Sequence, residues 1–275
     1  MNLSPRLGEG FQQDAKKYAA YLETSEGRLR LDLAFASLEE FLPVPPSSRS
    51  LRALDLGGGT GATAVRLARL GVQVTLLDPS AAMLKIAERS AGEAQVADRI
   101  ILQLGDAADV TKLFPAASFD VIVCHNVLEY VADPGAVVRG ATRLMRRDAT
   151  SILSVLVRNQ AGEVLKAAIQ SGDLDAAERG LTAAWGLESL YGGRVRFFTP
   201  EDLLVMAKDA SLEVVAMRGV RAVADYLPPQ ISREAEYARI FALERELGSR
   251  PEFAAIARYT HHILRPAGIA HGDSA

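Results

Sequence analysis

The stretch DLGGGTG at residues 55–61 follows a short apolar run and combines a carboxylate with four glycines. Glycines at such a turn let the backbone approach a ligand closely and bend sharply into a helix. The stretch also fits G-x-G-x-x-[GA] at Gly57, Gly59 and Ala62, so by itself it is compatible with either a dinucleotide site or a nucleoside site. Asp55 can orient the loop, or bind a cationic ligand directly or through water.

Two further acidic positions narrow the choice of ligand. Asp78 ends the apolar run TLLDPS, where a carboxylate can hold both hydroxyls of a ribose. Asp106, with the small Ala107 and Ala108 of GDAAD, could meet the edge of an adenine. Each acid alone could be a helix cap, but their joint spacing favours an adenosine-containing ligand. The residues expected to contact it are Asp55, Gly57, Gly58, Gly59, Gly61, Asp78, Asp106, Ala107 and Ala108.

The elements that must position these residues alternate along the chain from residue 51 onward. Strands are predicted at 51–56, 72–77, 99–104, 119–125, 150–157, 212–221 and 258–265. Helices are predicted at 9–24, 26–41, 61–70, 80–91, 134–146 and 232–247, with another starting at TPEDL, where Thr199 can cap it. Residues 160–195 read as helical and polar. Strands joined by crossover helices predict a doubly wound α/β sheet, mostly parallel, with ligands bound at the carboxyl ends of the strands.

The amino-acid composition limits which classes of protein and of binding partner are compatible with the chain. The 275 residues carry a net charge of -3, so bulk charge gives no support to a nucleic-acid partner. Cys124 is the single cysteine, which excludes a disulfide within the chain and a thiolate zinc cluster. His261 and His262 are adjacent on a predicted strand and point to opposite faces, so no metal is predicted. With no secretory signal and no run of eighteen apolar residues, we expect a cytoplasmic protein that does not enter a membrane.

Together these motifs resemble those of class I S-adenosylmethionine-dependent methyltransferases over about residues 50–160. SEGRLR at 25–30, VIVCHNVLEYVADP at 121–134, GVRAVADYLP at 219–228 and the ending RYTHHILRP extend the resemblance to the bacterial tRNA 5-carboxymethoxyuridine methyltransferase group. The resemblance implies a seven-stranded Rossmann-like fold, S-adenosyl-L-methionine as cofactor, and methyl-ester formation on a modified wobble uridine. Carried over position by position, it implies cofactor contacts at Arg30, Gly57, Gly58, Asp78, Ala107, Ala108 and His125.

The resemblance also assigns roles to residues near the methyl group. Arg30 would reach the methionine carboxylate, since a guanidinium pairs bidentately with a carboxylate. His125 would pack beside the transferable methyl group. The catalytic candidates are His125, Glu129 and Tyr130, and further acceptor-side candidates are Tyr191, Arg194, Arg196, Asp225 and Tyr226. Four segments are expected: an N-terminal helical lid (1–50), a cofactor-binding core (51–159), a lid or acceptor insertion (160–199) and the C-terminal part of the core sheet (200–275).

The acceptor stays open at this point. The leading hypothesis is methyl transfer to an O or N of a small molecule or modified nucleoside, a carboxylate if the closer resemblance holds. The alternative is a tRNA wobble-uridine methyltransferase, for which a patch of phosphate-neutralising cations would be needed; the candidates for it are Arg158, Arg194, Arg196, Arg218 and Arg221. A remote alternative is an NAD-dependent oxidoreductase, but Asp55 and the lack of an evident Tyr-x-x-x-Lys pair argue against it. A further alternative is a binding module that holds the nucleoside without catalysing a reaction. A homodimer is possible through helix 232–247.

Overall fold

A computed structural model describes residues 7–187 and 193–268, and within these ranges the chain forms a seven-stranded sheet and a separate two-stranded ribbon. The strands are β1 (Arg52–Leu56), β2 (Gln73–Asp78), β3 (Ile100–Leu104), β4 (Val121–His125), β5 (Ile152–Arg158), β6 (Trp185–Leu187), β7 (Arg194–Arg196), β8 (Leu212–Val220) and β9 (Tyr259–Pro266).

The large sheet has the strand order β3-β2-β1-β4-β5-β9-β8. The first five of these strands pair in parallel, and β9 runs antiparallel between β5 and β8. The predicted fold, a mostly parallel, seven-stranded Rossmann-like sheet of the class I methyltransferase type, is confirmed. The ends of β1, β2, β4, β5 and β8 and the start of β9 therefore lie along one edge of the sheet, which we call the carboxyl edge.

Helices cover the sheet and connect its strands. They are α1 (Leu7–Leu22), α2 (Ser25–Glu39), α3 (Ala62–Arg69), α4 (Ala81–Glu93), α5 (Val110–Leu113), α6 (Pro134–Leu144), α7 (Gln160–Leu165), α8 (Leu174–Gly180), α9 (Pro200–Asp209), α10 (Tyr237–Gly248) and α11 (Pro251–Ala254). Local sequence explains several boundaries: the Thr24 side chain accepts from the Gly27 amide at the start of α2, and Thr199 forms a capping box with Asp202 before α9.

The core forms on both faces of the central strands. β1, β4 and β5 are apolar runs whose side chains are almost completely buried, as expected for parallel strands covered by helices on both sides. Cys124 on β4 is buried in this core. The buried strands give the carboxyl edge a rigid base, because their side chains are fixed by packing on two faces.

Two sequence-based expectations about the later segments are wrong in part. Residues 160–195 are not helical throughout: α7 continues into one π-helical stretch (Lys166–Gln170), α8 follows, and then β6 and β7 pair as an antiparallel ribbon. In the ribbon, Val195 is buried and the arginines on either side of it are not, which is the alternation of burial typical of a strand. The helical pattern of the longer segment concealed this alternation in the sequence. The predicted helix 232–247 begins only at Tyr237, after a turn. Tyr191 lies outside the described residues.

Within 7–187 and 193–268, no helix is long and apolar enough to cross a membrane. The same residues contain no group of three or more His, Cys, Asp or Glu side chains arranged to hold a metal ion.

Candidate active site

The glycine loop after β1 needs glycine for steric reasons at two positions. The amides of Gly57 and Gly58 both donate to the Leu77 carbonyl, at 2.7 and 3.2 Å, which draws the loop against β2. Gly57 has a φ of +62°, and a Cβ there would lie 2.6 Å from Val127 Cγ2. A Cβ on Gly58 would lie 2.6 Å from the Leu76 side chain. Any larger residue would therefore push the loop off the sheet.

Asp55 lies beneath this loop and is buried. Its Oδ2 has no hydrogen-bond partner in the described part of the chain. Burial, and then the charge of Asp78, raise the pKa of Asp55 to about 7, against an ordinary value of 3.8. A buried carboxyl with a free oxygen beside a ligand loop is suited to a cationic ligand, whose charge would stabilise the carboxylate.

Asp78, at the end of β2, joins the loop to the start of α4. Its Oδ2 accepts from the Gly59 amide at 2.9 Å, and its Oδ1 accepts from the Ser80 amide at 2.8 Å. Burial raises the pKa of Asp78. Each carboxylate oxygen can accept a second hydrogen bond, so these contacts leave acceptor capacity for the hydroxyls of a ribose.

We expect Asp78→Asn to weaken binding of S-adenosylhomocysteine, the demethylated form of the cofactor that the resemblance implies, by up to about tenfold, because the amide has one acceptor oxygen and a lost hydrogen bond costs about 0.5–1.5 kcal/mol. Calorimetric titration measures this change. Asp98→Asn is the matched control, since Asp98 is an exposed aspartate before β3 and away from the loop. An unchanged affinity in the Asp78 variant would remove this residue from the ribose role.

Asp106 and the two alanines after it form a short turn beyond β3. The Asp106 Oδ1 accepts from the Ala108 amide at 2.8 Å and caps the 3-10 turn Ala107–Asp109. The Gly105 amide donates to the Asp78 carbonyl at 3.1 Å, which fixes this turn beside the end of β2. The structure therefore brings Asp106, Ala107 and Ala108 to the same edge as the loop, with Asp106 and Ala108 exposed and Ala107 buried.

Arg30, on α2, is 5% exposed, which separates it from an ordinary surface arginine. Its Nη1 donates to Asn126 Oδ1 at 2.8 Å and its Nη2 to the Tyr18 hydroxyl at 3.0 Å. The guanidinium also lies 5.3 and 5.7 Å from the ring centroids of Tyr21 and Tyr259. Among the described residues no carboxylate pairs with it. A buried cation held only by neutral groups is costly, and an anionic ligand would offset that cost.

Arg30, Asp55 and the glycine loop line one cavity between α1, α2 and the carboxyl edge, whereas Asp78 and Asp106 are not part of its lining. Its walls include Tyr18, Leu22, Arg30, Asp55, Gly57, Gly58, Gly59, Thr60, His125, Asn126 and Leu156. The predicted contacts Arg30, Asp55 and His125 therefore meet in space although they come from three distant parts of the chain. The cavity contains a buried cation, Arg30, and a buried carboxyl, Asp55. These two groups are complementary to the carboxylate and the ammonium group of an amino-acid moiety.

His125 ends β4 and lines this cavity. Its Nε2 lies 2.7 Å from Ser154 Oγ, and its ring packs edge-on against His261 with 5.0 Å between centroids. Burial, and then the charge of Arg30, lower the pKa of His125 to about 3. At neutral pH this imidazole is therefore uncharged.

The turn after β4 contains two residues that connect the cavity to β5. Asn126 has a φ of +55°, a conformation that Asn tolerates better than most residues. Its Oδ1 accepts from Arg30, and its Nδ2 donates to Glu129 Oε1 at 3.0 Å. Glu129 Oε1 also accepts from the Arg158 amide at 2.9 Å. Asn126 was missed by sequence reasoning, although a polar residue directly after a strand at this edge was an available signal.

Glu129 and Tyr130, two of the catalytic candidates, lie on this turn in the 3-10 segment Leu128–Tyr130. Glu129 is 1% exposed, and its Oε2 is buried without a partner within the described ranges. Burial raises the pKa of Glu129. Its contacts show that Glu129 fixes the turn to the end of β5, while Tyr130 is half-buried beside it.

A group of cations occupies the carboxyl edge on the far side of Glu129. We call it the basic cluster, and it consists of Arg158, Lys166, Arg221 and Arg258, accompanied by Glu163 and Asp225. Glu163 pairs with Arg158 (3.3 Å) and Arg258 (2.5 Å). Asp225 pairs with Arg221, whose Nε lies 2.7 Å away, and its Oδ2 lies 3.7 Å from Arg258 Nε. Four cations thus face two carboxylates.

The excess positive charge has effects on the neighbouring groups. Burial, and then the charge of Arg258, lower the pKa of Lys166. Burial raises the pKa of Tyr259, but the charges of the surrounding arginines, Arg158 first, outweigh burial and lower it. Tyr226, an acceptor-side candidate, donates from its hydroxyl to the Gly162 carbonyl at 3.4 Å. The positive charge around Tyr259 and Lys166 would therefore stabilise an anionic group bound there.

The five arginines that are candidates for a phosphate-binding patch make different contacts in the structure. Arg221 is buried and paired with Asp225, so it is unavailable to a nucleic-acid backbone. Arg218 pairs with Glu40 at 3.6 Å. Arg194 and Arg196 lie over the Trp185 ring, at 4.7 and 4.6 Å from its centroid. Of the five candidate arginines, Arg158 and Arg221 belong to the basic cluster, whereas Arg218, Arg194 and Arg196 have other partners.

Comparisons with known proteins agree with this geometry. The family described as "Methyltransferase domain" matches residues 54–153. The chain is 28% identical over 256 residues to the tRNA 5-carboxymethoxyuridine methyltransferase of Escherichia coli (strain K12), covering 93% of this chain and 95% of that protein. It is 31% identical over 178 residues to the ubiquinone biosynthesis O-methyltransferase of Xanthomonas oryzae pv. oryzae (strain PXO99A), covering 60% and 69%.

A solved structure shares the fold. The 1,6-didemethyltoxoflavin-N1-methyltransferase of Burkholderia thailandensis, solved with 1,6-didemethyltoxoflavin and S-adenosylhomocysteine, superposes with a TM-score of 0.56 at 15% identity, covering 94% of this chain and 88% of that one.

Proposed function

Because this chain belongs to the family of S-adenosylmethionine-dependent methyltransferases, we propose that it transfers the methyl group to a carboxylate oxygen of its acceptor. The first candidate acceptor is a tRNA that carries 5-carboxymethoxyuridine at the wobble position. The basic cluster carries this proposal: its four cations outnumber Glu163, Asp225 and the adjacent Glu129, so positive charge is in excess beside Glu129, where an anionic acceptor would be held. The similarity to the Escherichia coli tRNA methyltransferase over nearly the whole chain supports the tRNA acceptor.

We assign the residues of the cavity and of the adjoining carboxyl edge to the cofactor part by part. Arg30 would pair with the methionine carboxylate, and Asp55 would face its cationic groups. The loop Gly57–Gly59, together with Gly61 at the start of α3, would let the backbone approach the ligand. Asp78 would accept from the ribose hydroxyls, and Asp106, Ala107 and Ala108 would border the adenine. When bound, S-adenosyl-L-methionine supplies a methyl group already activated by its sulfonium.

The chain's own residues then have to orient the acceptor and exclude water. A carboxylate is already anionic at neutral pH, so it needs no general base. The basic cluster would hold the carboxylate in place, and neutral His125 would contact it beside the methyl group. Glu129 would act as a positioning residue, through Asn126 and the end of β5. Tyr130 and the ribbon arginines Arg194 and Arg196 remain acceptor-side proposals.

We propose that the N-terminal helices and the segment after β5 cover the site. Tyr18, Leu22 and Arg30 of the N-terminal helices already line the cavity. The segment 160–187 follows β5 directly, and Lys166 brings it to the basic cluster. A homodimer through α10, on which Leu243 is 47% exposed, and a cytoplasmic location also remain predictions.

The proposed reaction gives a product with a distinctive chemistry. We expect methyl-labelled S-adenosyl-L-methionine to label tRNA whose wobble uridines carry an unmethylated carboxymethoxy group, and mild alkali to release that label as methanol, because esters hydrolyse and ethers or N-methyl groups do not. The control is the same tRNA esterified beforehand, which should take up no label. Alkali-stable label, or labelling of the control, would contradict carboxylate methylation; equal labelling of small carboxylates would contradict the tRNA acceptor.

Lys166→Gln tests the role of the basic cluster. Lys166 is half-buried and makes no ion pair within the described residues, so its loss should remove positive charge without breaking an ion pair. We expect the KM for the acceptor to rise about tenfold, while affinity for S-adenosylhomocysteine stays within twofold; steady-state kinetics and calorimetry measure the two. Lys208→Gln, an exposed lysine of α9, is the matched control. An unchanged KM would place the acceptor elsewhere.

A further inference from the structure

Three buried side chains form a hydrogen-bonded chain that begins at the cavity and runs across the sheet. Ser154 Oγ on β5 lies 2.7 Å from His125 Nε2 on β4 and 2.6 Å from His261 Nε2 on β9. Ser154 and His261 are both fully buried. The contacts cross two strand pairings, so neither ring can turn away without disturbing the packed sheet.

The hydroxyl in the middle restricts the protonation of both rings. A serine hydroxyl carries one hydrogen, so Ser154 can donate to one imidazole nitrogen and must accept from the other. Burial lowers the pKa of both histidines, to about 3 for His125 and well below its ordinary value for His261, so each ring holds a single proton. The two rings must therefore be opposite tautomers: one carries its proton on Nε2 and the other on Nδ1.

The surroundings of His261 decide between the two arrangements. Its Nδ1 is buried and meets no partner in the described ranges. Buried N–H groups without an acceptor are rarer in proteins than buried acceptors left unused. The proton of His261 therefore belongs on Nε2, from which it donates to Ser154. Ser154 in turn donates to His125 Nε2, and this leaves the proton of His125 on Nδ1.

We infer that Ser154 and His261 are positioning residues that fix His125 as the Nδ1–H tautomer and thereby make it a hydrogen-bond donor to the cavity. His125 lines that cavity, and its Nδ1 makes no hydrogen bond within the described part of the chain. In this tautomer Nδ1 has no lone pair with which to take a proton. Resting on the proposed function, the inference adds that His125 donates to an oxygen of an acceptor that is already anionic and does not act as a general base.

Long-range proton–nitrogen correlation NMR on the cofactor-free chain, labelled with nitrogen-15 in its histidines, tests the tautomers directly. The chain has four histidines, His125, His261, His262 and His271, which single His→Gln variants assign. We expect His125 to show a protonated Nδ1 and a bare Nε2, and His261 the reverse. Observing His125 protonated on Nε2, or on both nitrogens near pH 7, would overturn the inference.

Ser154→Ala then tests whether the hydroxyl sets the tautomer. We expect the His125 spectrum to lose its single Nδ1–H pattern and become a mixture, while the signals of His262 stay unchanged. Ser151→Ala is the matched control, because Ser151 is also fully buried, lies just before the same strand and bonds Asp148 instead of a histidine. A pure Nδ1–H pattern retained in folded Ser154→Ala would remove Ser154 from this role.

These measurements separate the inference from the proposed function. The spectra need no cofactor, acceptor or activity, and the unsubstituted chain decides the tautomer even where Ser154→Ala fails to fold. A tRNA that takes up no label would therefore refute the acceptor and leave the tautomer assignment standing. The wrong tautomer would refute the positioning role of Ser154 and His261, and methylation would still be judged by its own assay.

Discussion

Replacing Arg30 by methionine is expected to lower the affinity for S-adenosylhomocysteine on the order of 100-fold. The ligand's carboxylate would lose a charge-assisted partner, and a hydrogen bond to a charged group contributes about 1.5–3 kcal/mol. The guanidinium is buried and held in place by Asn126 and Tyr18, so little ordering entropy offsets the interaction. Calorimetric titration of the purified variant measures the change.

The same substitution should leave the free energy of unfolding unchanged or raise it. Arg30 is a buried cation whose partners within the described ranges are all neutral, and a methionine of similar length removes the desolvation cost. Arg28→Met is the matched control, because Arg28 lies two residues away on the same helix, is exposed and contacts Tyr237 instead of the cavity. Affinity within twofold of the unsubstituted chain would show that the carboxylate is bound elsewhere, and a large loss of stability would show that Arg30 is structural.

Replacing Asp55 by asparagine is expected to change how stability depends on pH. The unfolded carboxyl titrates near 3.8, whereas burial, and then Asp78, raise the folded pKa to about 7. Between these values the folded state keeps a proton that the unfolded state has lost, so the free energy of unfolding falls as pH rises, and the loss is complete above pH 7. At about 1.4 kcal/mol per pH unit, Asp55 costs roughly 4 kcal/mol at pH 8 and less than half of that at pH 5.

The asparagine variant lacks this titration, so its stability relative to the unsubstituted chain should increase by about 2–3 kcal/mol between pH 5 and pH 8. Urea unfolding at the two pH values measures the difference, and any constant cost of the asparagine cancels. Asp106→Asn serves as the control because Asp106 is an exposed aspartate of the same site. A difference that does not change with pH would show that Asp55 is ionised in the folded chain at pH 5 already.

The sequence by itself determined the sheet and the ligand loop. Apolar runs alternating with amphipathic helices predicted the parallel strands, because each signal is local and crossover connections have one favoured hand. The same logic brought Asp55, Asp78, Asp106 and His125 to one edge, since the carboxyl ends of parallel strands meet there. Resemblance, rather than spacing, identified Arg30. The ribbon of β6 and β7 was missed because two three-residue strands carry too short a pattern.

Only the tertiary structure decided what these residues are in contact with. Arg30 meets Asn126 across 96 positions of sequence, and Ser154 meets His261 across 107. In the sequence, His261 was considered only as a metal ligand and rejected, whereas in the structure it forms a hydrogen bond with Ser154. The basic cluster likewise joins residues from the ends of β5 and β8, the start of β9 and the segment after α7. Burial and pairing of this kind depend on which distant elements pack together, and no local pattern contains that information.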